Sequence, residues 1–402
     1  MGMPGYGGEW GRLGVVVGSA WRAAPCACRP RLLFRASSRK DSDVTTAASF
    51  EIEYRQYLDP DGHPLGKTLP AIAKDLDQLV QIYQLMSFTR VFDTKAIALQ
   101  RTGKLGTYAS SLGHEAAHAA IGSAMRPEDV LAPAYREYAA QFWRGVKPRD
   151  VLMYWGGDER GNDFEVPRND FAWSVPIATQ CLHAAGSALA FRIRGEKRVA
   201  VSVCGDGGSS KADFYSALNC GGAFELPLVL VVVNNQWAIS VPRSKQTGAK
   251  TLAQKGIAGG LYCIQVDGND VIACREVMDE ALERARSGGG ASVIEMVTYR
   301  LHDHTTADDA RRYRDDAEVK AAWEKEPIGR LRAYLTRMGA WSDAKEEAWK
   351  EQSEARVNEE VDAYLQTKAQ PVEAMFDFLY GEMPLEIAQQ RALAVAREVS
   401  RG

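Results

Sequence analysis

The sequence predicts an α/β fold: a mostly parallel sheet with helices on both faces, followed by a helical C-terminal region. Three observations carry this expectation. The first is the stretch 199–240, which holds two apolar runs, VAVSVC (199–204) and LVLVVV (228–233), separated by one helix length of small and aromatic residues. Two β-branched runs spaced in this way form a strand–helix–strand unit with parallel strands and a right-handed crossover. Neither run alternates with polar residues, as expected of strands covered on both faces. The second observation is the continuation of the alternation: a run ending in VDGND (266–270), a helical segment, then SVIEMVTYR (292–300). The third is the change of pattern after residue 315, where charged residues at helical spacing dominate.

Taken in order, residues 1–48 differ from the rest. They carry Arg12, Arg22, Arg29, Arg31, Arg35 and Arg39, with Glu9 the only acid before Asp41. An Arg-rich, acid-poor leader resembles a mitochondrial transit peptide. The alternatives are a disordered tail or upstream sequence read from an early start, and the leader is set apart from the fold in each case. Residues 49–315 are expected to form the α/β domain. Residues 316–402 are expected to form a helical extension packing on that domain or on a partner subunit, with PVEAMFDFLYGEMP (371–384) the segment suited to a partner.

Composition bounds the function classes. A net charge of −3 and 25% charged residues supply no drive toward nucleic acid or a membrane surface, and no apolar run reaches membrane-spanning length. The cysteines (Cys26, Cys28, Cys181, Cys204, Cys220, Cys263 and Cys274) form no CxxC pair and no zinc spacing, so they read as reduced thiols.

The chemistry concentrates at the strand ends. Parallel strands place Asp206 and Asn235 at one C-terminal edge, where open α/β sheets bind ligands. A carboxylate and an amide oxygen suit Mg²⁺ or Ca²⁺ rather than zinc. Gly207 and Gly208 allow close backbone approach to an anion, and the following helix N-terminus favours phosphate. Together these features describe a diphosphate held through a divalent ion. Either motif alone reads as an ordinary turn; the pair at this spacing does not. His114 and His118 stand at i, i+4 on an expected small-residue helix with no evident third ligand, which favours packing or a supporting role. The polar stretch 156–170 is expected at the site edge. Arg300 precedes the loop 301–314 and is placed to pair with the diphosphate or a carboxylate.

GDG, then 26 residues, then NN resembles the thiamine diphosphate motif. The longer run GDGGSSKADFYSALN…NNQWAISVP resembles the α subunit of the decarboxylating component of 2-oxo acid dehydrogenase complexes, and with later segments the likeness spans roughly residues 50–390. The resemblance implies a thiamine diphosphate-binding fold with thiamine diphosphate and Mg²⁺ as cofactors. It implies that Asp206 and Asn235 bind the metal by side chain and Trp237 by its carbonyl. Gly205, Gly207, Tyr135 and Arg136 then contact the diphosphate or its ion, Ile177 props the bent cofactor, and Asp213 orders the loop after GDG. His304, beside Thr305 where mitochondrial relatives carry a phosphorylatable serine, steadies the diphosphate and assists acyl transfer.

The same resemblance implies a partner β subunit bearing the activating glutamate, an α2β2 heterotetramer, and a lipoyl domain of the acyltransferase component as acceptor. The segments HTTADDARRYR and IALQRTGKLGTYASSLGHEA are most similar to bacterial pyruvate dehydrogenase α subunits, which implies pyruvate as substrate and a cytoplasmic location. The alternatives are a branched-chain 2-oxo acid as substrate, and the mitochondrial matrix if the leader is a transit peptide. A different class, an Mg²⁺-dependent phosphohydrolase or nucleotide-binding protein, lacks support because no P-loop and no strand-linked GxGxxG occur. A non-catalytic scaffold subunit is disfavoured by intact Asp206, Asn235 and His304.

Overall fold

The computed structural model describes residues 46–399; the expected leader, residues 1–48, falls almost wholly outside the described residues. The two central apolar runs form β3 (Ala200–Gly205) and β4 (Leu228–Asn234), joined by helix α6 (Ala212–Ala223). They pair in parallel, with Cys204 opposite Val232 and Gly205 opposite Val233. The sheet is completed by β1 (Glu53–Arg55), β2 (Val130–Ala132), β7 (Tyr262–Asp267) and β8 (Ser292–Val297), in the order β1-β7-β8-β4-β3-β2 with every pairing parallel. A small antiparallel ribbon, β5 (Trp237–Ala238) and β6 (Val241–Pro242), follows β4, and the short helix α7 (Arg243–Gln246) follows the ribbon.

Alternate residues of the central strands enter two different cores. Val201, Val203, Val229, Val231 and Val233 pack on one face with α1 (Leu76–Arg101), α2 (Glu115–Ala124) and α8 (Val271–Arg286). Ala200, Cys204, Leu228, Leu230 and Val232 pack on the other with α5 (Thr179–Arg194) and α6. This two-sided burial is why the strands read as continuous apolar runs. All seven residues of β4 are buried.

Helix starts follow local chemistry. Asp75 caps α1 by accepting from the Gln78 N–H at 3.0 Å. Asp270 caps α8 through the N–H groups of Ile272 and Ala273, and its other oxygen accepts from Tyr57 and Leu58, which secures the N-terminal segment. A third cluster joins α1, α3 (Tyr138–Arg144) and α4 (Pro148–Trp155) around Phe88, Phe92, Tyr138 and Val151.

The C-terminal region is helical: α9 (Asp316–Trp323), α10 (Pro327–Arg337), α11 (Asp343–Leu365), α12 (Ala374–Asp377) and α13 (Leu385–Val399). Ile328, Leu331, Tyr334 and Leu335 of α10 join the first core, and Val357 and Val361 of α11 join the third. Arg330 makes a buried ion pair with Asp267 at 2.7 Å, fastening α10 to the end of β7. Beyond α11, Met375, Phe378, Leu379 and Leu385 are exposed, Phe378 by 90%. Among the described residues no helix is long and apolar enough to cross a membrane.

Candidate functional site at the C-terminal edge of the sheet

A cavity of about 590 Å³ opens where β3 and β4 end. The chain leaves β3 into Gly205-Asp206-Gly207 and leaves β4 into Asn235, and all four residues line it. The turn is tight: a Cβ on Gly207 would lie 2.6 Å from that of Ala238, so only glycine lets the two segments approach this closely. Across the cavity stand Tyr135 and Arg136, which follow β2, and His304 from the loop after β8. Ile177 also lines the cavity and is 44% exposed, an apolar side chain presented to the opening. Asp213, in the first turn of α6, reaches the cavity as well.

The paired asparagines divide their work. Asn235 lines the cavity, and its Oδ1 accepts from the Trp237 N–H at 3.2 Å. Asn234 turns into the sheet face and donates through Nδ2 to Glu295 at 2.7 Å. Asp206 is 1% exposed, and burial raises its carboxyl above the usual carboxylate range. Its Oδ2 accepts a hydrogen bond from Gln246 Nε2. Gln246 lies on α7, a turn with no sequence pattern to mark it, and sequence reasoning missed it.

Backbone conformation is unusual around the cavity. Ala178, Gln236 and Ile239 have φ of 68°, 74° and 56°. Each costs on the order of 1 kcal/mol relative to ordinary backbone, and such residues gather at functional sites.

The loop carrying His304 is fastened by arginines. Arg136 donates through Nη2 to the His304 carbonyl at 2.8 Å and through Nη1 to the Ser110 carbonyl. The Tyr135 ring meets the His304 ring edge-on, with centroids 6.3 Å apart. Burial, and then the charges of Arg136 and Arg300, lower the His304 pKa to about 3.

Arg300 does not line the cavity. It is fully buried behind the wall and donates to the carbonyls of Trp237 (3.4 Å), Ile239 (2.9 Å) and His302 (3.3 Å) and to the Tyr313 hydroxyl (2.8 Å). Its donors meet these three carbonyls and the Tyr313 hydroxyl, so the structure places Arg300, expected to pair with the diphosphate or a carboxylate, behind the cavity lining. Trp237 does line the cavity, and its carbonyl receives that Arg300 bond.

His114 and His118 are both buried and both line the cavity, with ring centroids 5.5 Å apart. His114 is the N-cap residue of α2, not a member of the helix. Neither ring nitrogen of His114, nor Nδ1 of His118, has a hydrogen-bond partner among the described residues. His118 Nε2 lies 4.0 Å from Glu137 Oε1. Burial pushes the Glu137 carboxyl up to about 7 and holds His118 down at about 3. Glu137, Gln180 and Lys211 also line the cavity and were not anticipated. The polar stretch 156–170, expected at the site edge, contributes nothing to the lining; Phe164 instead packs with Trp173 in the third core.

Comparison with known proteins matches this arrangement to a family. The family model described as dehydrogenase E1 component covers residues 83–373. The pyruvate dehydrogenase E1 component subunit alpha of Staphylococcus epidermidis is 39% identical over 357 residues, covering 88% of this chain and 96% of the relative. The protein of that name from Staphylococcus aureus is 38% identical over 355 residues, covering 88% and 95%. The matched span contains both central strands, Asp206, Asn235 and His304, and the chain belongs to the dehydrogenase E1 component family.

Proposed function

We propose that this chain is the α subunit of a thiamine diphosphate-dependent pyruvate dehydrogenase component, which decarboxylates pyruvate and transfers the acetyl group to a lipoyl group. The observation that carries the reading is that Asp206 and Asn235, at the ends of neighbouring parallel strands, face one cavity together with the Gly205–Gly207 turn. The likeness to pyruvate dehydrogenase E1 alpha subunits supports the substrate.

The donor set fits the cofactor. Asp206 is a buried carboxylate whose charge is disfavoured without a cation, and Asn235 Oδ1 and the Trp237 carbonyl add hard oxygen donors suited to Mg²⁺. Cationic and N–H donors, Arg136, Lys211 and the Gly207 turn, suit the diphosphate. Thiamine diphosphate supplies the carbon nucleophile and the electron sink that let carbon dioxide leave a 2-oxo acid. This chain's residues bind and orient. Tyr135 and Arg136 would border the diphosphate, Ile177 would present an apolar support, and Asp213 would order the turn after Gly207. Arg300 acts indirectly, by holding the Trp237 and Ile239 carbonyls.

His304 Nδ1 lies 3.3 Å from Arg136 Nη2 and 3.5 Å from Arg300 Nη1. Guanidinium groups only donate, so Nδ1 is the acceptor and Nε2 carries the proton. His304 is therefore a neutral N–H donor at neutral pH, suited to steadying the diphosphate and to assisting acyl transfer.

The activating glutamate belongs to a β subunit, in an α2β2 assembly, and the exposed Met375, Phe378, Leu379 and Leu385 suit an apolar partner surface. The likeness to bacterial relatives supports a cytoplasmic location. The test is turnover of the chain co-expressed with its β subunit, on pyruvate and on 3-methyl-2-oxobutanoate, with and without thiamine diphosphate and Mg²⁺. Cofactor-dependent turnover favouring pyruvate is expected. Preference for the branched acid overturns the substrate, and absence of cofactor-dependent turnover on either overturns the function.

A further inference from the structure

Glu295 is an acid set among apolar side chains. It sits on β8, 1% exposed, opposite Val232 of β4 and Gln265 of β7. A buried carboxyl is costly unless its oxygens are satisfied. Those of Glu295 accept four hydrogen bonds. Oε1 accepts from Asn234 Nδ2 at 2.7 Å, and Oε2 accepts from the N–H groups of Leu252 (2.7 Å) and Ala253 (3.1 Å) and from Gln265 Nε2 (3.0 Å).

Three of these contacts lead by two separate routes to the strand ends. Asn234 precedes Asn235, and its Oδ1 accepts from the Gln236 N–H at 3.2 Å, so it shapes the turn that presents Asn235. Leu252 and Ala253 open the 3-10 segment Ala253–Gly259, which carries Lys255. Lys255 is 6% exposed and donates to the Ser209 carbonyl (2.7 Å) and hydroxyl (2.9 Å). The Ser209 hydroxyl donates to the Asp206 carbonyl at 2.7 Å.

We propose that Glu295 is a positioning residue for the cofactor site: one oxygen sets the Asn235 turn, and the other sets, through Lys255 and Ser209, the turn that carries Asp206. The two halves of the site lie on different strands and in different loops, and one buried side chain references both. The inference rests on the Mg²⁺–diphosphate reading of the site.

The test uses the chain assembled with its β subunit and titrates thiamine diphosphate binding by calorimetry across a range of Mg²⁺ concentrations. The melting temperature of the ligand-free assembly serves as the folding control. In Glu295→Gln the amide presents its own hydrogens to groups that already donate. The Mg²⁺ concentration for half-saturation of binding is expected to rise about tenfold or more, the range typical of partners that orient metal ligands. Lys255→Met severs only the Asp206 route and should raise it less. The double variant should be no worse than Glu295→Gln alone, because the Lys255 route depends on Glu295. An unchanged Mg²⁺ dependence in Glu295→Gln overturns the proposal, even if the melting temperature falls. If Glu295→Gln does not assemble, an unchanged dependence in Lys255→Met overturns it equally. Failure of the wild-type assembly to bind thiamine diphosphate overturns the functional reading itself, and this inference with it.

Discussion

Arg136 grips His304 by its backbone: Nη2 donates to the His304 carbonyl at 2.8 Å, while the same nitrogen stands 3.3 Å from the ring Nδ1. Arg136 Nη1 reaches the Ser110 carbonyl, so a single guanidinium ties the His304 loop to the segment that carries Ser110. A lysine carries one point of charge and cannot reproduce this fork. Arg136→Lys is expected to weaken thiamine diphosphate binding by about tenfold or more, the scale of losing a charge-assisted hydrogen bond of about 1.5–3 kcal/mol. It should also increase proteolytic cleavage within residues 301–314. Calorimetry and limited proteolysis of the assembled enzyme check both.

Asp206→Ala should abolish Mg²⁺-dependent cofactor binding, because the buried carboxylate is the anionic member of the proposed metal set. Gln246 donates to the same oxygen, so Gln246→Ala should leave binding intact or tighten it. Tight Mg²⁺-dependent binding by Asp206→Ala in calorimetry would remove the metal assignment.

His304→Ala should leave decarboxylation with an artificial electron acceptor largely intact and slow acetyl transfer to a lipoyl domain, by about 10²-fold if His304 serves in general acid–base work. Equal loss in the two assays would assign the residue to cofactor binding instead.

Glu137 gives a stability prediction with a definite sign. Burial raises its folded pKa from 4.5 to about 7. Its contribution is fully present below about 4.5 and is lost as pH rises through about 7, where ionisation within the buried site becomes necessary. His118 and His304 act in the opposite sense: their depressed values make a contribution that is present above about 6.5 and lost as pH falls toward about 3. Glu137→Gln should therefore raise the melting temperature relative to wild type at pH 8 more than at pH 5. Equal shifts at the two pH values would show that the carboxyl does not titrate in this range.

Gly207→Ala places a methyl 2.6 Å from the Ala238 methyl. Overpacking of this kind costs about 1–3 kcal/mol. Denaturant unfolding should show that loss, and cofactor affinity should fall with it because the turn must shift.

The sheet and the edge that carries the cavity were legible because their signals are local. Unbroken β-branched runs mark strands buried on two faces, and the residues directly after them fall at one edge by the geometry of parallel strands. Asp206, Asn235 and the Gly207 turn followed from that alone. Tyr135, Arg136, Ile177 and His304 came from resemblance to a family, since nothing in their spacing marks them. His114 read as a helix residue, yet it is the cap before Glu115, a boundary that periodicity does not resolve.

What escaped the sequence involves partners far apart along it. Gln246 meets Asp206 across 40 positions, and Arg136 meets His304 across 168. Arg300 carries a charge that suits a phosphate, but folding commits its donors to the carbonyls of Trp237, Ile239 and His302. Glu295 looks like a lone acid in an apolar strand until Asn234 and Leu252 are brought to it. The order of apolar and polar residues by itself determined the layered α/β architecture and the edge where the cavity opens, because hydrophobic burial is set by local period. Only the tertiary structure decided which polar groups face the cavity and which hold its walls, because a hydrogen bond's partner is chosen by proximity in the folded chain and not by distance along it.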